Sequence, residues 1–389
     1  MNLEDNKKQK MRVLQVNKLY YPEVGGIEKT LQQVSEGLNR SVDLKVLVCQ
    51  KKGAKVQEEV NGVWVHRAGS LGVVASVPIS FSFLWKLRQL SKNMDIVHFH
   101  MPFPLGDLGC LLSGYQGKVV AYWHSDVVKQ KRWMVLYRPV MEAFLKRADI
   151  ILVGAQGIAE GSDYLGPYLN KCRVVPFAVT DKVLKEGGHY LEDNGYRREH
   201  DILHFLFVGR LVYYKGVSLL LEAAEQLMKK DKYKTKFKLT IIGKGILEEE
   251  LKQKCRDAGM ESQVEFLGQV SDEQLRTCYE TADVFVLPST ERSEAFGLVQ
   301  LEAMAYGLPV INTNLKSGVP QVSLHGQTGL TVEPNSAARL AEAMEWMLSH
   351  PQERIVMGEA ARKRVEENFT EQVLIGNLQK IYKELLERK

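Results

Sequence analysis

The stretch "DVFVLPSTERSEAFGLVQLEAMAYGLPV", residues 283–310, reads as one strand, one loop and one helix. "DVFVLPS" has the unbroken apolar run of a strand buried on both faces. "LVQLEAMAYG" has helical spacing and is ended by Gly307 and Pro309. Two glutamates, Glu294 and Glu302, stand eight positions apart around Phe296 and Gly297. On a single helix such a pair would lie about 12 Å apart and roughly 80° off a common face. That excludes the close carboxylate pair of glycoside hydrolysis. It suits the two ends of a long ligand.

The same strand–helix alternation runs outward in both directions, as expected for an α/β protein with parallel sheets. The first half offers "MRVLQV", "LKVLVC", "DIVHFH", "KVVAYWH", "DIILVGA" and "CRVVPFAV". Between the first two, Ile27, Leu31, Val34 and Leu38 share one helical face. The second half restarts with "HFLFVGRL", "KLTIIGKG", "VEFLGQV", "PVINTN" and "GLTVEP". Two such series imply two Rossmann-like domains facing each other across a cleft, with ligands at the carboxyl ends of the strands. The expected division is residues 1–184, a polar linker at 185–201, and 202–370. A closing amphipathic helix over 371–389 is expected to pack back on the first domain.

The chain has 389 residues, enough for two full cores, and its 45% hydrophobic and 25% charged residues are ordinary for a soluble protein. A net charge of +5 suits anionic partners without calling for nucleic acid. Five scattered cysteines with no C-x-x-C read as reduced cytosolic thiols. The N-terminus is polar and no apolar run reaches spanning length, so a cytoplasmic protein is expected.

"HFLFVGRLVYYKG" places Arg210 and Lys215 after a strand. A guanidinium grips a phosphate bidentately and an ammonium acts as a movable point charge, so together they can hold a diphosphate. Two solvated cations at a domain edge fit the same letters. The helix start near Phe296, Gly297, Leu298 and Val299 offers free N–H groups to a phosphate. With Glu294 and Glu302 receiving hydroxyls on either side, the long ligand is a nucleotide diphosphate-sugar. Glu302 on a merely solvent-facing helix is the alternative.

At this point "VGRLVYYKG", "IIGKG", "VEFLGQVSDEQL" and "ERSEAFGLVQLEAMAYGLPVI", with "YYPEVGGIEKT" and "AYWHSD" in the first half, carry a family likeness. The chain resembles the retaining GT-B glycosyltransferases often called glycosyltransferase group 1 or family four. "HSDVVKQKRWMVLYRP" and "SGVPQVSLHGQTGLTVEP" are most similar to bacterial mannosyl- and rhamnosyltransferases of surface polysaccharide synthesis. The resemblance implies that Gly25 and Gly26 form the loop under the donor phosphates and that His124 contacts the transferred sugar. It implies Arg210 and Lys215 on the diphosphate, Glu294 on the sugar hydroxyls and the amides after Phe296 on sugar and phosphate. Glu302 would take the ribose diol, and main chain near Val270 would read the base. Gly25-Gly26 as a plain tight turn and His124 as a plain strand-end histidine stay open.

The resemblance further implies front-face displacement with retention, no cofactor and no metal. His98 and His100 share a strand face, but no acidic cluster accompanies them and no Asp-x-Asp occurs in the chain. GDP-mannose is the favoured donor, with UDP-sugars open. The acceptor would be a saccharide or lipid-linked saccharide. Lys129, Lys131, Arg132 and Arg138 among Trp133, Leu136 and Tyr137 form a candidate patch for an anionic membrane at the inner face of the cell membrane. A solvated amphipathic helix fits that segment too. Where many relatives carry a glutamate after the turn near Gly318, this chain has Gln321, which leaves that loop's contacts open. Rival readings are a nucleotide-sugar epimerase on the same scaffold and an inactive sugar-binding subunit.

Overall fold

The computed structural model describes residues 10–23, 25–74, 77–126, 131–196 and 202–387, with only the backbone of 77 and 131–134. The chain divides into two compact units. Unit 1 comprises Met1–Gly154, Ser162–Val175 and Glu371–Lys389; unit 2 comprises Ala155–Gly161 and Pro176–Thr370.

Unit 1 is built on β1 Arg12–Val16, β2 Asp43–Cys49, β3 Val56–Val60 and β4 Val63–Ala68, followed by the two-residue strands β5 Val73–Val74 and β6 Val77–Pro78. It continues with β7 Ile96–Met101, β8 Lys118–Trp123, β9 Ile150–Val153 and β10 Cys172–Val174. The large sheet has the order β10-β9-β8-β7-β1-β2-β4-β3, parallel except where β3 runs antiparallel to β4. Among the described residues β5 and β6 form a separate two-stranded sheet. The strands β7, β8 and β9 are buried along their length except Lys118, so helices cover both faces and alternation gives way to continuous apolar runs.

Unit 2 holds β11 Leu203–Val208, β12 Phe237–Ile242, β13 Val264–Gly268, β14 Val284–Leu287, β15 Val310–Thr313 and β16 Gly329–Val332. Their order, β13-β12-β11-β14-β15-β16, is parallel throughout. Three strands run one way from β11 and three the other from β14, which is the doubly wound Rossmann arrangement. Phe205, Phe207, Leu239, Ile241, Val284 and Val286 supply its core under the helix Val217–Met228.

Two sequence expectations change. The stretch 185–201 was expected as a linker, but Asp181–Asn194 is helical; residues 197–201 lie outside the described part. Its glycines serve packing: a Cβ at Gly187 would sit 2.2 Å from the Ala305 carbonyl oxygen, so only glycine lets that helix approach so closely. Arg362 Nη1 then donates to the carbonyls of both Leu184 and Ala305. Second, the sheet of unit 1 carries the antiparallel β3–β4 edge, which the parallel pattern did not foretell. The helix Glu371–Glu387 belongs to unit 1, against the helix Gly26–Leu38. No helix among the described residues is long and apolar enough to cross a membrane.

Candidate functional site

In an open parallel sheet the crevice for a ligand opens where the strand order reverses. In unit 2 that point lies between β11 and β14. β11 is followed by Gly209, Arg210 and the short turn Tyr213–Lys215; β14 is followed by Pro288, Ser289 and Thr290. The two loops are locked together. Thr290 N–H donates to the Tyr214 carbonyl at 2.8 Å. Gly216 has φ +71°, and a Cβ there would lie 1.9 Å from the Pro288 carbonyl oxygen. Only glycine satisfies both demands.

This lock delivers Lys215 to Glu294. The ammonium Nζ pairs with Glu294 Oε2, and Ser289 Oγ donates to the same oxygen at 3.3 Å. Both side chains are only 11% exposed. Desolvation of two buried ions offsets most of their mutual attraction, so the pair adds little net stability. It does set a donor with spare hydrogens beside a carboxylate with spare lone pairs. Arg210, on the same loop, is exposed, and its Nη2 donates to Tyr214 Oη at 2.7 Å.

The loop after Glu294 enters the helix Leu298–Ala305 through Gly297, whose φ of +75° is the left-handed conformation. Leu298 and Val299 occupy the first helical positions and are half-buried. Their N–H groups lie where a helix has no internal acceptor. A buried amide network fixes this corner. Gln300 Nε2 donates to Phe296 O at 3.1 Å, and Asn312 Nδ2 donates to Gln300 Oε1 at 2.9 Å and Val319 O at 3.1 Å. Gly318 N–H donates to Ala295 O at 2.7 Å. The Phe296 ring itself is core, packed edge-on against Phe177 with centroids 4.9 Å apart, so only its backbone is left for a ligand. Glu302 accepts from Tyr279 Oη at 3.1 Å, and Tyr279 stacks on Tyr306. Val270 is half-buried in the loop between β13 and the helix Asp272–Thr281. Gln321 Oε1 accepts from Gly157 N–H at 2.8 Å, which ties down the 155–161 segment of unit 2.

In unit 1, Gly25 caps the helix Gly26–Leu38 in an extended conformation any residue adopts. A Cβ there would meet the Glu28 carboxylate at 2.3 Å, the movable end of a side chain that folds back over the helix start. His124 follows β8 and is buried. Its Nε2 lies 2.9 Å from His100 Nδ1, and His100 Nε2 lies 3.1 Å from Gln15 Oε1. Burial lowers the His124 and His98 pKa values well below the usual imidazole range and takes His100 to about 3, so these rings are neutral.

Most of the expected basic-aromatic patch lies outside the described side chains. Lys129 lies outside the described residues, as do the side chains of Lys131, Arg132 and Trp133. Leu136 is exposed and Arg138 pairs with Glu142 at 2.6 Å. Tyr137 does not join them: half-buried, it turns inward and donates to the buried Asp107, whose carboxylate needs a partner there.

Sequence reasoning named both members of the Lys215–Glu294 pair but not their contact, and it missed Ser289, Tyr279 and the Gln300–Asn312 network. Ser289 was visible as the last letter of the strand "DVFVLPS". The others carry no local signal.

Residues 193–364 match the family model described as glycosyl transferases group 1, and residues 24–181 match the glycosyltransferase family 4 model. The chain is 35% identical to the D-rhamnosyltransferase WbpZ of Pseudomonas aeruginosa, over 92% of each chain. It is 33% identical to the O-antigen chain mannosyltransferase C of Escherichia coli, over 97% of this chain and all of that one. In fold it matches sucrose-phosphate synthase from Thermosynechococcus elongatus with a TM-score of 0.75 at 20% identity, covering 97% of this chain and 100% of that one. The fold is therefore GT-B, two Rossmann-like domains with parallel sheets. The switch-point loops of unit 2, the match of both halves to family models and the full-length relatives agree: this chain is a glycosyltransferase and belongs to the glycosyl transferases group 1 family.

Proposed function

We propose that the chain moves a hexose, mannose or a close relative, from a nucleotide diphosphate-sugar to a saccharide or lipid-linked saccharide in the synthesis of a bacterial surface polysaccharide. The observation that carries this reading is the Lys215–Glu294 pair at the switch point of unit 2. A donor diphosphate competes with Glu294 for the ammonium, and the carboxylate is then available to accept the sugar hydroxyls. Arg210 and the N–H groups of Leu298 and Val299 add positive potential on the phosphates. Glu302, already an acceptor, suits a ribose diol. The two relatives named as mannosyl- and rhamnosyltransferases support the sugar class, and GDP-mannose remains the favoured donor with a UDP-sugar open.

Transfer proceeds at the front face with retention. The acceptor hydroxyl oxygen bonds the anomeric carbon as the bond to the diphosphate oxygen breaks. The electron pair leaves with the diphosphate, and that oxygen takes the hydroxyl proton. The residues position the partners and neutralise charge as it develops. No metal is required in this scheme. Unit 1 also suits an anionic membrane surface. Phe81 and Trp85 are 77% and 64% exposed on one helix, and residues 70–94 carry Lys86, Arg88 and Lys92 with no acidic residue.

A thermal-shift screen of nucleoside diphosphates tests the donor assignment. A cognate nucleotide at a hundred times its Kd stabilises by about 2.7 kcal/mol, a shift of roughly 5–10 °C for a unit of this size. The product's anomeric configuration, read by NMR in EDTA, tests the rest. An inverted product, or no shift with any nucleoside diphosphate, refutes the proposal.

A further inference from the structure

Beneath His124, unit 1 buries a continuous chain of polar groups. Gln15 on β1, His98 and His100 on β7 and Tyr122 on β8 are register partners or two residues apart, so they share one face of the sheet. The helix Glu371–Glu387 covers that face and contributes Tyr382. His124 Nε2 meets His100 Nδ1 at 2.9 Å, and His100 Nε2 meets Gln15 Oε1 at 3.1 Å. Gln15 Nε2 donates to Tyr382 Oη at 3.1 Å, and Tyr382 Oη lies 2.5 Å from His98 Nδ1. His98 stacks on His100 and His100 on His124, with centroids 4.9 and 5.1 Å apart.

The direction of this chain follows from the Gln15 amide. Its carbonyl oxygen only accepts, so His100 Nε2 carries the hydrogen. A neutral imidazole then has an acceptor at Nδ1, which takes the hydrogen of His124 Nε2. The acceptor nitrogen of His124 is therefore Nδ1. On the other side the Gln15 amide nitrogen donates to Tyr382, whose hydroxyl donates to His98 Nδ1. Among the described residues His98 Nε2 has no hydrogen-bond partner, and it ends the chain.

Packing alone does not call for such a chain. The helix Glu371–Glu387 is already seated by buried Leu374, Leu378 and Leu385 and by Gln33 Nε2 donating to Glu371 at 3.0 Å. Apolar residues of similar shape would hold the same face at no greater cost.

We propose that Gln15, His100 and Tyr382 are positioning residues that fix the ring plane and the Nε2–H tautomer of His124. The fixed tautomer puts the ring hydrogen of His124 on Nε2 and makes Nδ1 the accepting nitrogen. This rests on the proposed sugar transfer and on the expectation, implied by the family resemblance, that His124 contacts the transferred sugar. Tyr382 acts on that ring from a helix at the far end of the sequence.

Two experiments on the full chain decide it. In wild type, long-range 15N–1H NMR of the histidine rings at pH 7 is expected to show His124 neutral with its hydrogen on Nε2. Gln15→Leu is expected to give a mixture of tautomers. The spectra need no substrate, so they answer independently of whether the chain transfers sugar. Kinetically, Tyr382→Phe is expected to lower kcat by about three- to tenfold, the loss of roughly one neutral hydrogen bond, with the donor KM nearly unchanged. In a His124→Ala background the same substitution is expected to leave kcat unaltered. A His124 carrying its hydrogen on Nδ1 or on both nitrogens overturns the proposal. So does a Tyr382→Phe effect that persists in full without His124, which would mark a purely structural role.

Discussion

Replacing Lys215 by methionine, Glu294 by leucine, and both together separates what the buried pair does for stability from what it does for activity. At an effective dielectric near 20, charges in contact attract by about 4 kcal/mol. Desolvating each ion costs several kcal/mol, so the intact pair is close to neutral in its net effect. Removing one partner forfeits the attraction and strands the other charge at a site 11% exposed. Each single variant should lose about 3–5 kcal/mol, lowering the melting temperature of unit 2, about 200 residues, by roughly 6–20 °C. The double variant should return to within about 1 kcal/mol of wild type, because no buried charge is left. Urea denaturation of all four proteins gives the coupling energy. Turnover should be lost in all three variants. A double variant less stable than either single one, or Lys215→Met with normal turnover, would refute the reasoning.

Acid should destabilise unit 1 through its buried histidines. Burial holds His98, His100 and His124 below their unfolded value of about 6.5. As pH falls through 6.5 the unfolded chain takes up protons that the folded one refuses. Their contribution is complete above that pH and shrinks below it, by about 1.4 kcal/mol per pH unit for each ring. His98→Asn should flatten the slope between pH 6.5 and 5 by about that amount in urea titrations; an unchanged slope contradicts it. Gly114 and Gly216 share nearly the same left-handed backbone, but only Gly216 has a carbonyl where a Cβ would go. Gly114→Ala should cost about 1 kcal/mol of conformational strain, and Gly216→Ala about 1–3 kcal/mol more from overpacking, with a fall in kcat as Lys215 is displaced. Equal losses in calorimetry would refute the contact argument. Vesicles rich in anionic lipid should sediment the wild type, and Phe81→Ser with Trp85→Ser should weaken this at least tenfold; binding indifferent to both lipid charge and substitution removes the membrane reading.

Most strands were legible as short apolar runs, and β7, β8, β9, β14 and β15 are buried along nearly all their length, a pattern polar surroundings do not imitate. The β3–β4 edge was not: "VQEEVNGVWVHRA" is half exposed, and its charges disguise the alternation. The helix Asp181–Asn194 was misread because "KEGGHYLEDN" has the composition of a linker. Gly187 allows close approach to Ala305, a neighbour more than a hundred residues away. The candidate site residues could be named from strand-end positions and family likeness. The Lys215–Glu294 contact follows from the adjacency of β11 and β14, which local letters do not encode. The Gln15–Tyr382 bond joins residues 367 apart and has no local signature at all.

That unit 1 contains residues from both the start and the finish of the chain has a consequence for biogenesis. Synthesis proceeds from the amino end at about 5–20 residues per second, so the sheet face bearing Gln15 and His98 lacks its cover until residues 371–387 have been translated. Unit 2, whose residues all precede that segment, can mature beforehand. The strand Arg12–Val16 is thus among the last to be covered, and a chain cut short before residue 371 would have one finished half and one open one.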